Sequence, residues 1–284
     1  MKRSISILLV LGMALSLTAC GQKAVSSPAP KDITRGLLNQ SDEELASEDV
    51  YKDMKVSYGF RSVSPTRKTV EYDTVQNILL ALKTGKIDYM YMPITAARYA
   101  IAQDKSLHVL LYPIYIYRFR MAVKKENTAL CEKLDNALEA LKQDGTVDQL
   151  IQTYITDMST EAVPLPVFDG AETITVATTG DYPPMDYISA DGSPAGFNVA
   201  LLAALARQLQ VNIKIVPCET NARLNLLQSG RADAVFWICD GATYGEDYEF
   251  KTVNATHPYY AVYDSIVYKD ADVKDILNSV GWLD

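Results

Sequence analysis

Histidine is nearly absent from this sequence, which holds only His108 and His257, far apart along the chain. There is also no C-x-x-C pair, no zinc-ligand spacing, no nucleophile–base signature and no glycine-rich phosphate loop. These absences argue against metal-dependent, nucleophilic and nucleotide-driven catalysis, and no metal or cofactor is expected. Acid–base chemistry needs only one positioned carboxyl group and is not excluded. Basic charge is scarce too: 27 Lys and Arg against 35 Asp and Glu give a net charge of −8, which argues against nucleic acid as a partner. Beyond the first residues no apolar run is long enough to span a bilayer. Of the four cysteines, Cys131, Cys218 and Cys239 lie past the N-terminal region, so they can form one disulfide at most. They read as buried apolar residues, with a Cys218–Cys239 bridge as the alternative.

What the chain does have begins at its N-terminus. Lys2 and Arg3 precede an apolar run, Ser4 to Ala19, of the length of a signal-peptide core. The run ends in Leu17-Thr18-Ala19-Cys20-Gly21, which resembles the lipobox of bacterial lipoproteins. That resemblance implies a leader over 1–19, acylation of the Cys20 thiol, and a lipid anchor on the extracytoplasmic side of the cell membrane. Gln22 to Lys31, rich in Ser, Pro and Ala, reads as a flexible tether, within a tether and lead-in over 20–45.

Two windows align without gaps, ALKTGKIDYMYM (81–92) and LLQSGRADAVFW (226–237). Each is a helix end, a Gly stop (Gly85, Gly230), a basic residue, an Asp and an apolar run suited to a buried parallel strand. In the second half, Ile174 to Thr178 reads as a strand and Gly180 to Pro184 as a rigid loop. Phe197, Leu201, Leu205 and Leu209 recur at helical spacing and predict an amphipathic helix. VNIKIVP is the next strand, Asn221 to Ser229 a helix, Ala232 to Ile238 a strand, and HPYYAVYDSIVYKD a last extended piece. Earlier, Leu130, Leu134, Leu138 and Leu141 form one stripe, Gly145 stops that helix and Thr146 caps the next. Strands alternating with helices predict α/β lobes with mostly parallel sheets.

Residues 172–269 resemble the first lobe of the type II periplasmic solute-binding proteins, the polar amino-acid receptors of ABC importers. The matching pieces are ITVATTGDYPPMDY, DGSPAGFNVALLAALARQL, LLQSGRADAV and HPYYAVYDSIVYK. MKVSYGF, TVEYDTVQNILLALKTGKIDYMYM and TAARYAIAQDKSLHVL resemble the second lobe, and residues 118–157 the returning strand and closing helices. The resemblance implies a two-lobed fold that binds a small molecule between lobes and passes it to the membrane subunits of an importer. The order is unusual: 46–117 is like lobe two, 118–157 like the return, 158–171 a linker, and 172–284 like lobe one. A circular permutation and a tandem of two truncated copies both give that order. The length suits the first, since either half alone would leave a lobe without its partner.

In such receptors an aromatic residue of the first loop covers the ligand, and Tyr182 holds that place. The family's zwitterion clamp is missing: its Arg aligns with Gly245, its ammonium-binding Asp with Pro93, and an acid often found after strand one with Thr179. Asp181 and Asp240 beside Tyr182 and Trp237 predict a site for a cationic or amine-bearing ligand, with Trp237 and Asp240 at or just beyond a strand's carboxyl end. From the other lobe, Tyr58, Arg61 and Met92 are the nearest matches to ligand-facing positions; Arg61 is suited to an anion, so an amino acid bound in an unfamiliar way is the alternative ligand. A non-transporting sensor or scaffold of the same fold, and a dehydratase-type enzyme, are the other readings.

Overall fold

The unit of helix, glycine, aspartate and strand occurs twice, and the frame of the protein is built on the two copies. In the computed structural model, residues 33–38, 67–242, 250–270 and 272–275 are described. Helix α1 (Val75–Lys83) is started by Thr74, whose side chain accepts from the backbone N–H of Asn77. It gives way at Gly85, with φ of 72°, to strand β3 (Tyr89–Pro93). Helix α6 (Arg223–Gln228) gives way at Gly230, also at φ of 72°, to β10 (Ala234–Ala242). Glycine takes that left-handed conformation without steric cost.

In each copy the Asp joins the adjacent parallel strand. Asp88 Oδ2 accepts from Thr34 N at 2.6 Å while Asp88 N donates to Thr34 O at 2.8 Å. Asp233 makes the same pair with Thr175, both at 2.8 Å. Strands β1 (Ile33–Leu38) and β5 (Thr173–Thr178) therefore hold equivalent places. β1 lies in the segment that the sequence assigns to the tether and lead-in. Cys20, the leader, the 22–31 tether and MKVSYGF (54–60) lie outside the described residues.

One nine-stranded mixed sheet joins the two lobes. At one end β2 (Arg67–Tyr72), β1 and β3 are parallel; at the other, β10, β5 and β9 (Asn212–Pro217) are parallel. Between them run two antiparallel strands that belong to both lobes, β4 (His108–Lys124) and β12 (Tyr260–Tyr268). Residues 264–268 of β12 pair with β3 and with 108–112 of β4, while 260–263 pair with 116–119. The register slips between Tyr263 and Asp264, so the break in the ladder falls where one lobe passes into the other. β10 and β11 (Val253–Ala255) pair with the far part of β4.

Helix α2 (Ile94–Gln103) packs on β12 and β4 beside α1. Helix α3 (Thr128–Gln143), carrying Leu134, Leu138 and Leu141 inward, packs on α5 (Phe197–Leu209) as well as on β4 and β11. Its outer turns are tied to the β11–β12 loop: Asp135 takes both the backbone N–H and the Nδ1 of His257, at 2.8 and 2.5 Å, and Lys142 Nζ donates to Pro258 O at 2.8 Å.

The short α4 (Thr146–Leu150) continues into a π-helical turn over Ile151–Thr156 and also packs on α5. α5 is thus not amphipathic but buried on every side from Phe197 to Ala206, because α3 and α4 cover the face that would meet water. Thr146 is the first residue of α4 and does not cap it; its own N–H is bound by the Asp144 carboxylate. The 158–171 segment lies along this lobe, with Phe168 N–H donating to Asn212 Oδ1 and Asn212 Nδ2 donating back to Phe168 O. Cys218 is a free thiol whose Sγ donates to Thr178 O, so it forms no bridge to Cys239. Among the described residues no helix is long and apolar enough to cross a membrane.

Candidate functional site

The carboxyl end of β5 opens into a loop and two short strands, β6 (Asp181–Tyr182) and β7 (Asp186–Ile188), closed by β8 (Pro194–Ala195). What holds this loop is a buried carboxylate. Asp186 accepts from Thr179 Oγ1 at 2.6 Å, Gly180 N at 2.8 Å and Asn198 Nδ2 at 2.7 Å. Burial pushes its carboxyl above the usual range, against those three donors and the charge of Arg223. Asn198 in turn accepts from Tyr259 OH at 3.3 Å. Thr179, placed in the ligand site by sequence, spends its hydroxyl on this network.

With the loop fixed, Tyr182 sits 3% exposed with its ring 5.1 Å from that of Trp237. Trp237 meets Phe119 edge-on at 5.0 Å. It lies within β10 and not at its end, because β4 continues as an antiparallel partner as far as Ile116 and carries β10 on to Ala242. Asp240 follows in the same strand, paired in register with Arg118.

Arg223, at the start of α6, is 1% exposed and lies over the Trp237 ring at 4.6 Å. Its Nε donates to Thr220 O at 3.1 Å and its guanidinium donates to Trp237 O. No sequence signal had marked this arginine, although a charged residue opening the apolar helix RLNLLQ is the one hint available.

Across from this cluster stands the other lobe. The Asp181 carboxylate accepts the N–H of Val75, the first residue of α1, at 3.0 Å. Burial raises the Asp181 carboxyl to about 6; the Val75 N–H opposes the rise, Asp186 adds to it and Arg223 opposes it. Thr95 Oγ1 and Tyr260 OH are hydrogen-bonded at 2.8 Å, and the rings of Tyr99 and Tyr187 lie 6.4 Å apart. Pro183 roofs a cavity of about 110 Å³ between α1 and α2, lined by Val75, Leu79, Met92, Ala96 and Leu107.

The structure therefore brings Thr179, Asp181, Tyr182 and Trp237 together and sets Met92 on the facing lobe. Asp240 lies three residues along β10, while Tyr58, Arg61 and Gly245 are outside the described residues. Among the described residues no group of three or more His, Cys, Asp or Glu could hold a metal ion.

The profile of the bacterial extracellular solute-binding proteins, family 3, matches residues 64–157 and 174–277. A 91-residue stretch is 34% identical to ABC transporter arginine-binding protein 1 of Escherichia coli, covering 30% of this chain and 37% of that protein. The chain thus aligns with little more than a third of that relative's length. Among solved structures, the zinc-bound ligand-binding component of an ABC-type import system from Staphylococcus aureus superposes with a TM-score of 0.49 at 11% identity, over 88% of this chain and 70% of that one. An ancestral amino acid-binding protein, a precursor of cyclohexadienyl dehydratase, gives 0.48 at 16% identity, over 89% and 88%.

Proposed function

The chain belongs to the bacterial extracellular solute-binding proteins, family 3, and on that premise we propose that it captures one small polar solute between its lobes for the membrane subunits of an ABC importer. The observation that carries this reading is the seam itself. Asp181 reaches the first turn of α1, Thr95 meets Tyr260, and Pro183 roofs a cavity in the opposite lobe. A hinge of two strands with a polar seam between lobes is the arrangement that domain closure around a ligand requires. Tyr182, Trp237, Asp181 and Met92 are the ligand-facing residues, with Thr179 as the anchor of their loop; Asp240 follows along β10, and Tyr58 and Arg61 keep their place by sequence resemblance alone.

In the same reading the first 19 residues are a lipoprotein leader, Cys20 carries the lipid, and the rest of the chain works outside the cytoplasm. The lobe order is a circular permutation of one receptor; the packing of α3 and α4 on α5 supports it, since 118–157 then closes the lobe of 172–269. The Escherichia coli relative is named for arginine. Pro93, Gly245 and Thr179 stand at the clamp positions here, so the ligand is held by different groups. That same loss of the clamp favours a second reading, a sensor or scaffold of this fold that no longer transports.

A thermal-shift screen of the mature protein against amino acids, polyamines, small peptides and carboxylic acids tests the receptor reading. A solute at about 100 times its Kd stabilises by roughly 2.7 kcal/mol. A flat response across the panel would favour the scaffold.

A further inference from the structure

Around Arg223, two buried hydrogen-bond donors have no acceptor among the described residues. Trp237 Nε1 and Thr220 Oγ1 belong to side chains only 3% and 2% exposed, and neither has a hydrogen-bond partner among the described residues. Native interiors pair nearly all such groups. Both are set in place by one side chain, since Arg223 donates to the backbone carbonyls of Thr220 and Trp237.

The nearby acceptors are engaged elsewhere. Asp186 takes three donors and Asp181 takes the Val75 N–H. The Arg223 guanidinium covers a face of the Trp237 ring, so a cationic ligand finds that face occupied. On the facing lobe Pro93 has no polar side-chain atom for an ammonium group. What this cluster can still satisfy is a ligand that brings acceptors.

The cavity under Pro183 adds the second half. Apart from Lys83 and Gln103, its lining is almost entirely apolar, and at about 110 Å³ it is somewhat smaller than a cavity that holds benzene. Roughly four carbons fill it. It starts one residue along the chain from Tyr182, the ring that rests on Trp237.

We propose that the ligand is a small carboxylate with a short hydrocarbon tail and no ammonium group, its carboxylate accepting from Trp237 Nε1 and Thr220 Oγ1 and its tail seated in the cavity under Pro183. This rests on the interlobe receptor reading and narrows the class of solute. Trp237 and Thr220 touch the ligand; Arg223 is a positioning residue.

Calorimetric titration of the mature protein with three solutes of one isobutyl tail decides it: isovalerate (carboxylate only), isoamylamine (ammonium only) and L-leucine (both). Isovalerate is expected to bind at least ten-fold tighter than isoamylamine and no more weakly than leucine. Trp237→Phe and Thr220→Val should each weaken isovalerate about ten-fold, and Ala100→Leu, which fills the cavity, should weaken isovalerate and spare acetate. Should Trp237→Phe fold poorly, Thr220→Val alone carries the donor test. Tighter binding of the amine or of leucine overturns the proposal, as does unchanged isovalerate affinity in both donor variants, which would mean that water satisfies the donors. If none of the three binds while another solute of the screen does, the ligand class is wrong and the receptor reading stands; if no solute binds, both fall.

Discussion

The carboxylate of Asp181, on one lobe, accepts the amide proton of Val75 in the first turn of α1 on the other, at 3.0 Å. Helix α1 has no acidic residue of its own in that turn. The partial positive charge and free N–H groups of the helix start are therefore met from across the seam.

That placement has a cost that depends on pH. Burial raises Asp181 to about 6, against about 3.9 in an unfolded chain. Between those values the folded protein binds the proton more tightly, so stability falls as pH rises from about 4 to about 6 and the loss is complete above 6. Asp181→Asn keeps an acceptor for Val75 and removes the charge. It should raise stability at pH 8 by an amount on the order of 1–3 kcal/mol and change nothing at pH 4. Urea unfolding at the two pH values reads the difference; an equal effect at both would show that the charge is not what is strained.

The paired contacts Asp88–Thr34 and Asp233–Thr175 predict matched losses. Replacing either Asp by Ala removes a carboxylate–amide hydrogen bond at the entry of a parallel strand, worth about 1–3 kcal/mol. Replacement by Asn should lose less. Chemical denaturation of the four variants checks this, and a loss confined to one lobe would deny that the two units do the same work.

Leu134, 1% exposed, is part of the α3 stripe that packs toward α5. Leu134→Ala should cost about 2–5 kcal/mol. It should also speed amide exchange in α5 before that in α1. The reverse order would assign α3 to the other lobe.

Reordering the gene tests the permuted arrangement. A chain opened between Glu161 and Ala162, both exposed, with Asp284 joined to residue 33 by a flexible linker, keeps every described contact. It should unfold in one transition with Tm within about 8 °C of the parent, a shift that corresponds to about 2–4 kcal/mol in a domain of this size. Two separate transitions, or no folded product, would favour two tandem half-receptors.

Most of this fold can be read from periodicity and punctuation. Gly85 and Gly230 stand where helices end, and β5, α5, β9, α6 and β12 lie close to where their patterns put them. Strand β1 is the instructive miss. ITRGLL has no clean alternation and follows a Ser- and Pro-rich stretch. Its Gly36 is there for packing: a Cβ at that position would stand 2.8 Å from Ile78 Cγ1. Only the pairing of Thr34 with Asp88 exposes its kinship with Ile174-Thr175. At the site, resemblance to the family's aromatic cover marked Tyr182 and the end of an apolar run marked Trp237, and the structure sets their rings 5.1 Å apart, although β10 runs on past Trp237. Arg223 was not marked, since nothing in a sequence tells a buried guanidinium from a solvated one. Its position over the Trp237 ring is why we propose a ligand that brings acceptors, in place of the amine expected from Asp181 and Asp240.

The central claim is that one solute is bound by both lobes at once, and amide exchange with and without a saturating solute from the thermal-shift screen tests it most directly. Protection is expected to rise together in residues 75–79 of α1 and in residues 179–187 and 234–238 of the opposite lobe, with one solute per chain. Protection confined to a single lobe, or binding that leaves all three segments unchanged, would contradict it.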